Sequence, residues 1–474
     1  MKICMLVEGS YPYITGGLSA WVQMLITGLP EHEFIIYSIA AEEKNKGRFK
    51  YPIPANVTEV REIFLDSILN LKSPPAGNYH LTPDERENLE ALVCGEGAID
   101  LEKLVTTFRA GKSKSTLEIF MSFQFFDVIT NAYKKRFSHL PFTDFFWTTR
   151  SMLLPLFFLI QQDLPAADVY HSVAAGYAGA VGSLAATIYN KPFILTEHGI
   201  YSREREEEII KCDWAKGDFK SIWINYFYCL TRLTYQKAVQ VITMFGQNAE
   251  IQISLGCDPG KVHIIPNGID VDQYEKIKPP ADGEGACITI AAVVRVVPIK
   301  DVITMLRSFF LVKQKIPQAR FLIIGPIDEN PEYYEECLKV VHTLELKDLQ
   351  FTGAVDVKTY LEDVDILVLG SISEGQPLSI LEGMASRRPF VATDVGSCRE
   401  LIYGNGDGLG EAGIVVAMMD YENMAKAIIT LAQDKQRRRE MGINGHRRIS
   451  RFYTIGGLLE SYRKLYQDVY AGVK

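Results

Sequence analysis

Residues 374–382 read Glu374-Gly375-Gln376-Pro377-Leu378-Ser379-Ile380-Leu381-Glu382, with two carboxylates eight positions apart. The first lies in a turn containing glycine and proline, and Pro377 suits the start of the helix that follows. Glu374 then stands at the helix mouth and Glu382 about a turn deeper. A helix start presents unpaired backbone N–H groups and a positive dipole end, so it can receive a phosphate beside a carboxylate that accepts sugar hydroxyls. That chemistry suits a sugar nucleotide. The same residues equally fit a loop and an ordinary helix with Leu378, Ile380 and Leu381 in the core and both glutamates solvated, so this stretch alone leaves both readings open.

On either side of it runs a βα series. Its strands are Ile288 to Val294, Arg320 to Ile324 before Gly325, Leu349 to Thr352 before Gly353, Ile366 to Leu369, and Phe390 to Thr393 before Asp394. Continuous apolar runs of this kind predict parallel strands buried on both faces. Arg295 and Lys300, five apart after the first strand, form a pair of cations that can neutralise a diphosphate, arginine adding a planar head with several donors. Surface charges on a loop would read the same. Upstream, Pro266-Asn-Gly-Ile-Asp is followed by a polar, proline-rich run over 276–284, the best candidate for a domain linker.

The first half opens with a buried strand at Ile3 to Val7, a glycine loop with Gly16 and Gly17, and a helix carrying Val22, Leu25, Ile26 and Leu29 at helical spacing. The glycines let a backbone approach a ligand, and Ser19 is placed to cap the helix. The loop is not a Gly-x-Gly-x-x-Gly fingerprint, so a dinucleotide is not implied. Phe34 to Ala40 supplies a second strand. Over about 66–163 the rhythm lapses into mixed polar and aromatic segments, read as a mostly helical insertion where an acceptor or partner protein could dock. The βα pattern returns at Val169, Phe193, Val239 and Val262. His171 and His198 both fall at strand ends, where open α/β sheets bind ligands, while Arg203 and Arg205 open a charged helix after His198 and could face an anion. The architecture implied is α/β: two doubly wound Rossmann-like domains with a cleft between them and a helical insertion in the first.

Composition excludes several classes. A net charge of −8 lacks the basic footprint of a general nucleic-acid binder, and 47% hydrophobic with 23% charged residues is that of a folded globular chain. The eight cysteines are scattered without a Cys-x-x-Cys pair, which reads as reduced core thiols rather than a zinc site. The run after Lys2 is too short for a signal peptide, and Met152 to Ile160, broken by Pro155, is about half a membrane span. No transmembrane helix is expected. The basic run from Lys435 and the pair Arg447-Arg448 read as a solvated face, and Leu458, Tyr462, Leu465, Tyr466 and Val469 form a stripe that a last helix must bury.

Taken together these residues resemble the retaining glycosyltransferases of family four, which have the GT-B fold. Pro266-Asn-Gly-Ile-Asp, Arg295 with Lys300, Ile324-Gly-Pro, Phe351-Thr-Gly353 and the Glu-x7-Glu pair follow the family's order. Glu8-Gly-Ser-Tyr-Pro-Tyr, Gly16-Gly-Leu-Ser-Ala-Trp and Glu197-His-Gly-Ile-Tyr-Ser-Arg are similar to the cytosolic transferase branch of Pel-type exopolysaccharide systems. The resemblance implies a first domain over 1–278, a nucleotide-sugar domain over 279–454 and a last helix over 455–474 crossing back to the first domain. It implies that Arg295 and Lys300 hold the diphosphate of a UDP-sugar, that Glu382 binds the ribose hydroxyls and that Glu374 lies near the donor hexose. Gln376, Pro377, Leu378, Ser379 and Gly353 would line the donor site, with Gly16 and Gly17 facing the diphosphate and His198 near the sugar. His171 and Arg203 fall to the acceptor side. No metal and no cofactor is implied beyond the UDP-sugar, because cations and a helix end handle the charge. The chain would act in the cytoplasm, peripherally at the membrane through inner-membrane synthase subunits, transferring hexose or N-acetylhexosamine to a growing glycan with retention. Gln376 stands where many relatives carry an aromatic, which leaves the sugar open. Two other readings are a UDP-sugar epimerase and a non-catalytic UDP-sugar-binding scaffold of a membrane synthase.

Overall fold

The computed structural model describes residues 1–71, 80–96, 99–109, 116–278 and 287–472. It divides into two compact units: residues 1–243 and 248–264 with the stretch from Tyr462 onward, and residues 244–247 with 265–461. The expected linker over 276–284 lies outside the described residues from 279 on.

The first unit is built on seven strands: β1 (Lys2–Glu8), β2 (Glu33–Ala40), β3 (Val57–Phe64), β4 (Val169–Ser172), β5 (Phe193–Glu197), β6 (Gln240–Thr243) and β7 (Val262–Ile264). They lie in the order β3-β2-β1-β4-β5-β6-β7, every neighbouring pair parallel. β1 and β4 are buried almost throughout, as their unbroken apolar runs require. The helix Gly17–Gly28 packs Trp21, Val22, Leu25 and Ile26 inward. Ser19 is not its cap: the helix begins at Gly17 with Gly16 as the flanking residue, which leaves Ser19 buried in its first turn.

Between β3 and β4 comes a run of helices: Pro83–Cys94, Leu101–Arg109, Thr116–Phe120, Phe123–Ala132 and Phe142–Ile160. The first has a complete capping box, with Thr82 and Glu85 exchanging hydrogen bonds and Pro83 at the start. Phe108, Phe120, Phe125 and Phe157 pack ring against ring at centroid separations of 4.3–5.8 Å, so much of the aromatic content of this segment is core. No helix of the described residues is long and apolar enough to cross a membrane.

The second unit has six parallel strands: β8 (Thr289–Val293), β9 (Arg320–Ile324), β10 (Leu349–Gly353), β11 (Ile366–Leu369), β12 (Phe390–Thr393) and β13 (Gly413–Val416). Their order is β10-β9-β8-β11-β12-β13. Each sheet therefore reverses direction once, between β1 and β4 in the first and between β8 and β11 in the second. Loops leaving neighbouring strands at such a reversal diverge and leave a crevice at the strands' carboxyl ends. β3 and β13 are absent from the sequence-based strand list, and both are sheet edges. β3 carries Thr58, Glu59, Arg61 and Glu62, so no long apolar run marks it, whereas β13 lies in the apolar run Ala412 to Met419, which the strand list leaves out.

Candidate active site

In the second unit the crevice lies between the loops that follow β8 and β11. The backbone N–H of Ile372 donates to the carbonyl of Ile299 at 2.9 Å, tying the two loops together. The tie sets Lys300 against Glu374: the ammonium donates to Glu374 Oε1, and the pair is mostly buried, with side-chain exposures of 17% and 10%. Ser371 Oγ donates to the same carboxylate oxygen at 2.5 Å. The turn after β12 supports Glu374 from below. The Ser397 amide and hydroxyl donate to the Gly375 carbonyl at 3.0 and 3.2 Å. Gly396 sits there at φ +52°, and a Cβ on it would lie 2.3 Å from the Glu374 carbonyl oxygen. Only glycine fits that approach.

The helix Leu378–Ala385 begins after Pro377, whose carbonyl accepts from Ile380. The amides of Leu378 and Ser379 take no hydrogen bond among the described residues, so two donors at the positive end of the helix stand free. Within the helix, Glu382 receives the Tyr274 hydroxyl. Burial raises its carboxyl above the ordinary range, against the opposing effects of that hydrogen bond and of Lys358. Gln376 is buried and accepts from the backbone N–H of Asn267 at 2.6 Å, which fastens the 266–270 segment to the Glu-x7-Glu loop. Beside it, Asn267 Oδ1 is buried with no partner in the structure.

Lys300, Glu374, Gln376, Pro377, Leu378, Ser379 and Glu382 thus share one loop cluster and one helix start. Arg295 does not join the Lys300 pair: it is half exposed and pairs with Glu329 at 2.6 Å. Gly353 ends β10 at φ +70°, where a Cβ would meet nothing. Ser371, Gly396, Ser397, Tyr274 and Lys358 complete the cluster and are invisible to motif reading, because they come from other loops. Among the described residues no group of three His, Cys, Asp or Glu side chains could hold a metal ion.

In the first unit, a Cβ on Gly16 or Gly17 would meet nothing, and Gly16 has an extended backbone that any residue adopts. Packing therefore does not demand either glycine. His171 is 0% exposed, with Tyr466 Oη at 2.6 Å from one ring nitrogen and Thr196 Oγ1 at 2.8 Å from the other. It offers nothing to an acceptor and is a packing residue, held neutral by burial and by His198, which push its pKa down to about 3. His198 differs. Its Nε2 is buried without a partner, its ring stands 4.7 Å edge-on to Trp21, and Trp21 Nε1 is also unpartnered. Burial lowers its pKa to about 4, so the imidazole is neutral at pH 7. Arg203 is exposed on the helix Tyr201–Lys211, whereas Arg205 lies over the Tyr201 ring at 5.4 Å. Helical phase turns Arg205, not Arg203, toward the buried network.

That network centres on two buried carboxylates. Glu8, at the end of β1, accepts from the Ala178 amide at 3.0 Å and the Tyr201 hydroxyl at 2.9 Å, and burial raises its carboxyl. Glu197, at the end of β5, accepts from Tyr235 Oη at 2.6 Å, Gln252 Nε2 at 3.0 Å and the Tyr201 amide at 3.3 Å. Burial lifts its pKa from 4.5 to about 7, outweighing these donors. Between those values the folded chain holds a proton that the unfolded chain has lost, so stability falls as pH rises through the window. Glu8 adds a slope of the same sign. Glu197→Gln is expected to flatten the fall between pH 5.5 and 8 by about 2 kcal/mol. Thermal melting across that range checks it, and equal slopes in wild type and variant would refute it.

Residues 1–260 match the family described as "Domain of unknown function (DUF3492)", and residues 287–434 match "Glycosyl transferases group 1". The chain is 27% identical over 238 residues to the D-inositol 3-phosphate glycosyltransferase of Kineococcus radiotolerans, covering 45% of this chain and 54% of that protein. It is 21% identical over 286 residues to the MMP alpha-(1->4)-mannosyltransferase of Mycolicibacterium hassiacum, covering 60% and 66%. The chain thus spans less than two thirds of the length of either relative. Anabaena HepE in complex with UDP shares the fold at a TM-score of 0.62 and 14% identity, over 99% of this chain and 100% of that one. With 260 of its 474 residues matched, the chain belongs to the DUF3492 family, and it joins that domain to a glycosyl transferase group 1 domain in a GT-B fold.

Proposed function

We propose that the chain is a retaining, metal-independent glycosyltransferase that moves a hexose or N-acetylhexosamine from UDP-glucose, UDP-N-acetylglucosamine or UDP-N-acetylgalactosamine to a growing exopolysaccharide. The observation that carries this reading is the Lys300–Glu374 pair seated beside two free amide donors at the start of the helix Leu378–Ala385. When the bond between the anomeric carbon and the diphosphate breaks, negative charge grows on the leaving oxygen. A fixed ammonium and oriented N–H groups stabilise that charge without reorganising. Arg295 serves the same diphosphate, exchanging Glu329 for phosphate oxygens. Glu382, positioned by Tyr274, accepts the ribose hydroxyls, and Glu374 accepts from the donor sugar. The acceptor hydroxyl attacks from the face that UDP leaves, and its proton passes to the departing phosphate, so configuration is kept and charges balance. In a Pel-type system the chain would work with inner-membrane synthase subunits, to which the likeness of its first-domain motifs points.

UDP release by the purified protein from the three donors, with chelator present throughout, tests the reading. Release from one donor is expected. If UDP binds and none of the donors turns over, with or without glycan acceptor, the chain is a nucleotide-sugar-binding subunit and not a transferase. Glu382→Ala is expected to weaken UDP binding by about 1.5–3 kcal/mol, a factor of ten or more. Calorimetry that returns an unchanged affinity would remove Glu382 from the donor site.

A further inference from the structure

A cavity of about 410 Å³ opens in the first unit between the helix Phe142–Ile160 and the start of the helix Asp218–Lys237 with the loop before it. That volume is in the range of small-molecule sites. Asp144, Trp147 and Ser151 line one wall and lie three and four residues apart, on a single face of their helix. Trp214, Lys216 and Trp223 line the other. Three of the chain's four tryptophans therefore meet at one opening, and two of them keep much of their surface in water: Trp147 is 53% exposed and Trp214 65%. Large aromatics that fold without covering themselves mark binding surfaces.

The walls are held in place. Lys220 Nζ donates to the carbonyls of Ile210 and Cys212 at 2.6 and 2.8 Å, fixing the loop that carries Trp214. Trp214 packs edge-on to Trp223 at 5.2 Å and 87°. The Arg150 guanidinium lies over the Trp147 ring at 5.3 Å and fixes its orientation.

The lining decides the class of ligand. An acyl chain would strip water from Asp144 and Lys216 and return no hydrogen bond. A nucleotide would bring its phosphates beside the Asp144 carboxylate. A pyranose ring is flat, with C–H bonds on its faces and hydroxyls on its rim. Its faces match the indoles, and its rim matches the carboxylate, the hydroxyl and the ammonium. We propose that this cavity is a saccharide-binding subsite that holds part of the growing glycan chain. The proposal rests on the transferase reading only for the choice of a glycan over other amphipathic ligands. An aromatic-lined groove also suits a proline-rich peptide, which the test includes.

Cellotriose, maltotriose and the N-acetylglucosamine trimer are titrated into the full chain with intrinsic tryptophan fluorescence as the signal, beside a proline-rich peptide. One trisaccharide is expected to give a saturable change. In Trp214→Ala and Trp147→Ala, both at exposed positions, its affinity should fall at least about tenfold, and Asp144→Asn should weaken it independently of the aromatic signal, read by calorimetry. UDP affinity, measured on the same samples, should not change in any variant. The proposal is overturned if no trisaccharide saturates up to about 10 mM, if binding survives both tryptophan variants, or if the peptide binds more tightly than every sugar. Saccharide binding lost in the variants of a protein that fails to bind UDP would leave the subsite standing and overturn the donor-site reading instead.

Discussion

On the transferase reading proposed above, Lys300→Ala is expected to lower turnover of the preferred UDP-sugar by about 10²–10³-fold, with the loss in kcat, as removal of one preorganised donor from a developing oxyanion does elsewhere. The expectation rests on burial and on the absence of a substitute at the same place. Lys300 is mostly covered, its partner Glu374 more so, and in such surroundings a charge interaction is several times stronger than in water. Arg295, the other cation of the pair seen in the sequence, is half exposed and engaged with Glu329, so it does not take over the position that Lys300 holds. The variant leaves Glu374 with the Ser371 hydroxyl as its remaining side-chain donor. Part of any loss could therefore come from a displaced carboxylate. The double variant with Glu374→Gln, compared with Glu374→Gln alone, separates the two: if the missing ammonium is the cause, the double variant falls well below the single one, and if stranded charge is the cause, the two match. Release within about twofold of wild type in Lys300→Ala would end the assignment of this lysine to the leaving group.

How far the site was legible depended on where its parts come from. The Glu-x7-Glu loop and its helix are one continuous segment, and a proline-marked helix start with two carboxylates can be read without knowing the fold. Central strands could be read as well, because burial on both faces leaves an unbroken apolar run, whereas the edge strand β3, with Thr58, Glu59, Arg61 and Glu62, carries no such mark. What sequence could not give is the partner of each charge. Gln376 meets Asn267 across 109 positions, and Gly396 is required by a carbonyl it touches only in the folded loop. The two strand-end histidines look alike in sequence, yet one has both nitrogens satisfied and the other keeps a buried nitrogen free. The difference lies in Tyr466 and Thr196, which reach His171 from positions no motif connects to it.

The basic run near the end shows the same limit in a form with a large energetic consequence. Arg447 and Arg448 are adjacent, and their pattern reads as a solvated face. Arg447 is exposed, but Arg448 is 1% exposed. All five of its N–H donors are used: Nε and one terminal nitrogen on the Asp407 carboxylate at 2.5 and 3.0 Å, the others on the carbonyls of Leu401, Ile402 and Gly410 at 3.1, 2.9 and 2.6 Å. Those acceptors surround the loop with Gly404, Gly406, Gly408 and Gly410, all at positive φ, that leads into β13. Such a loop has little side-chain packing of its own, so the guanidinium supplies the order that hydrophobic contacts provide elsewhere. Removing it strands Asp407, whose carboxyl the Arg448 hydrogen bond holds below the usual range, together with the carbonyls of Leu401 and Gly410, while the Ile402 carbonyl keeps the Ala412 amide at 2.8 Å. Arg448→Ala is expected to destabilise the chain by about 3–5 kcal/mol, lowering the melting temperature by roughly 10 °C. Arg447→Ala should stay within about 0.5 kcal/mol of wild type. The depressed Asp407 pKa gives a second signature, because stability that depends on an ionised carboxylate is present at neutral pH and lost as pH falls through the acid range. Wild type should lose that increment on acidification, while Arg448→Ala, having lost it already, should melt with a shallower acid slope. Equal melting temperatures for the two arginine variants would mean that the loop is ordered by other contacts and that Arg448 only fills space.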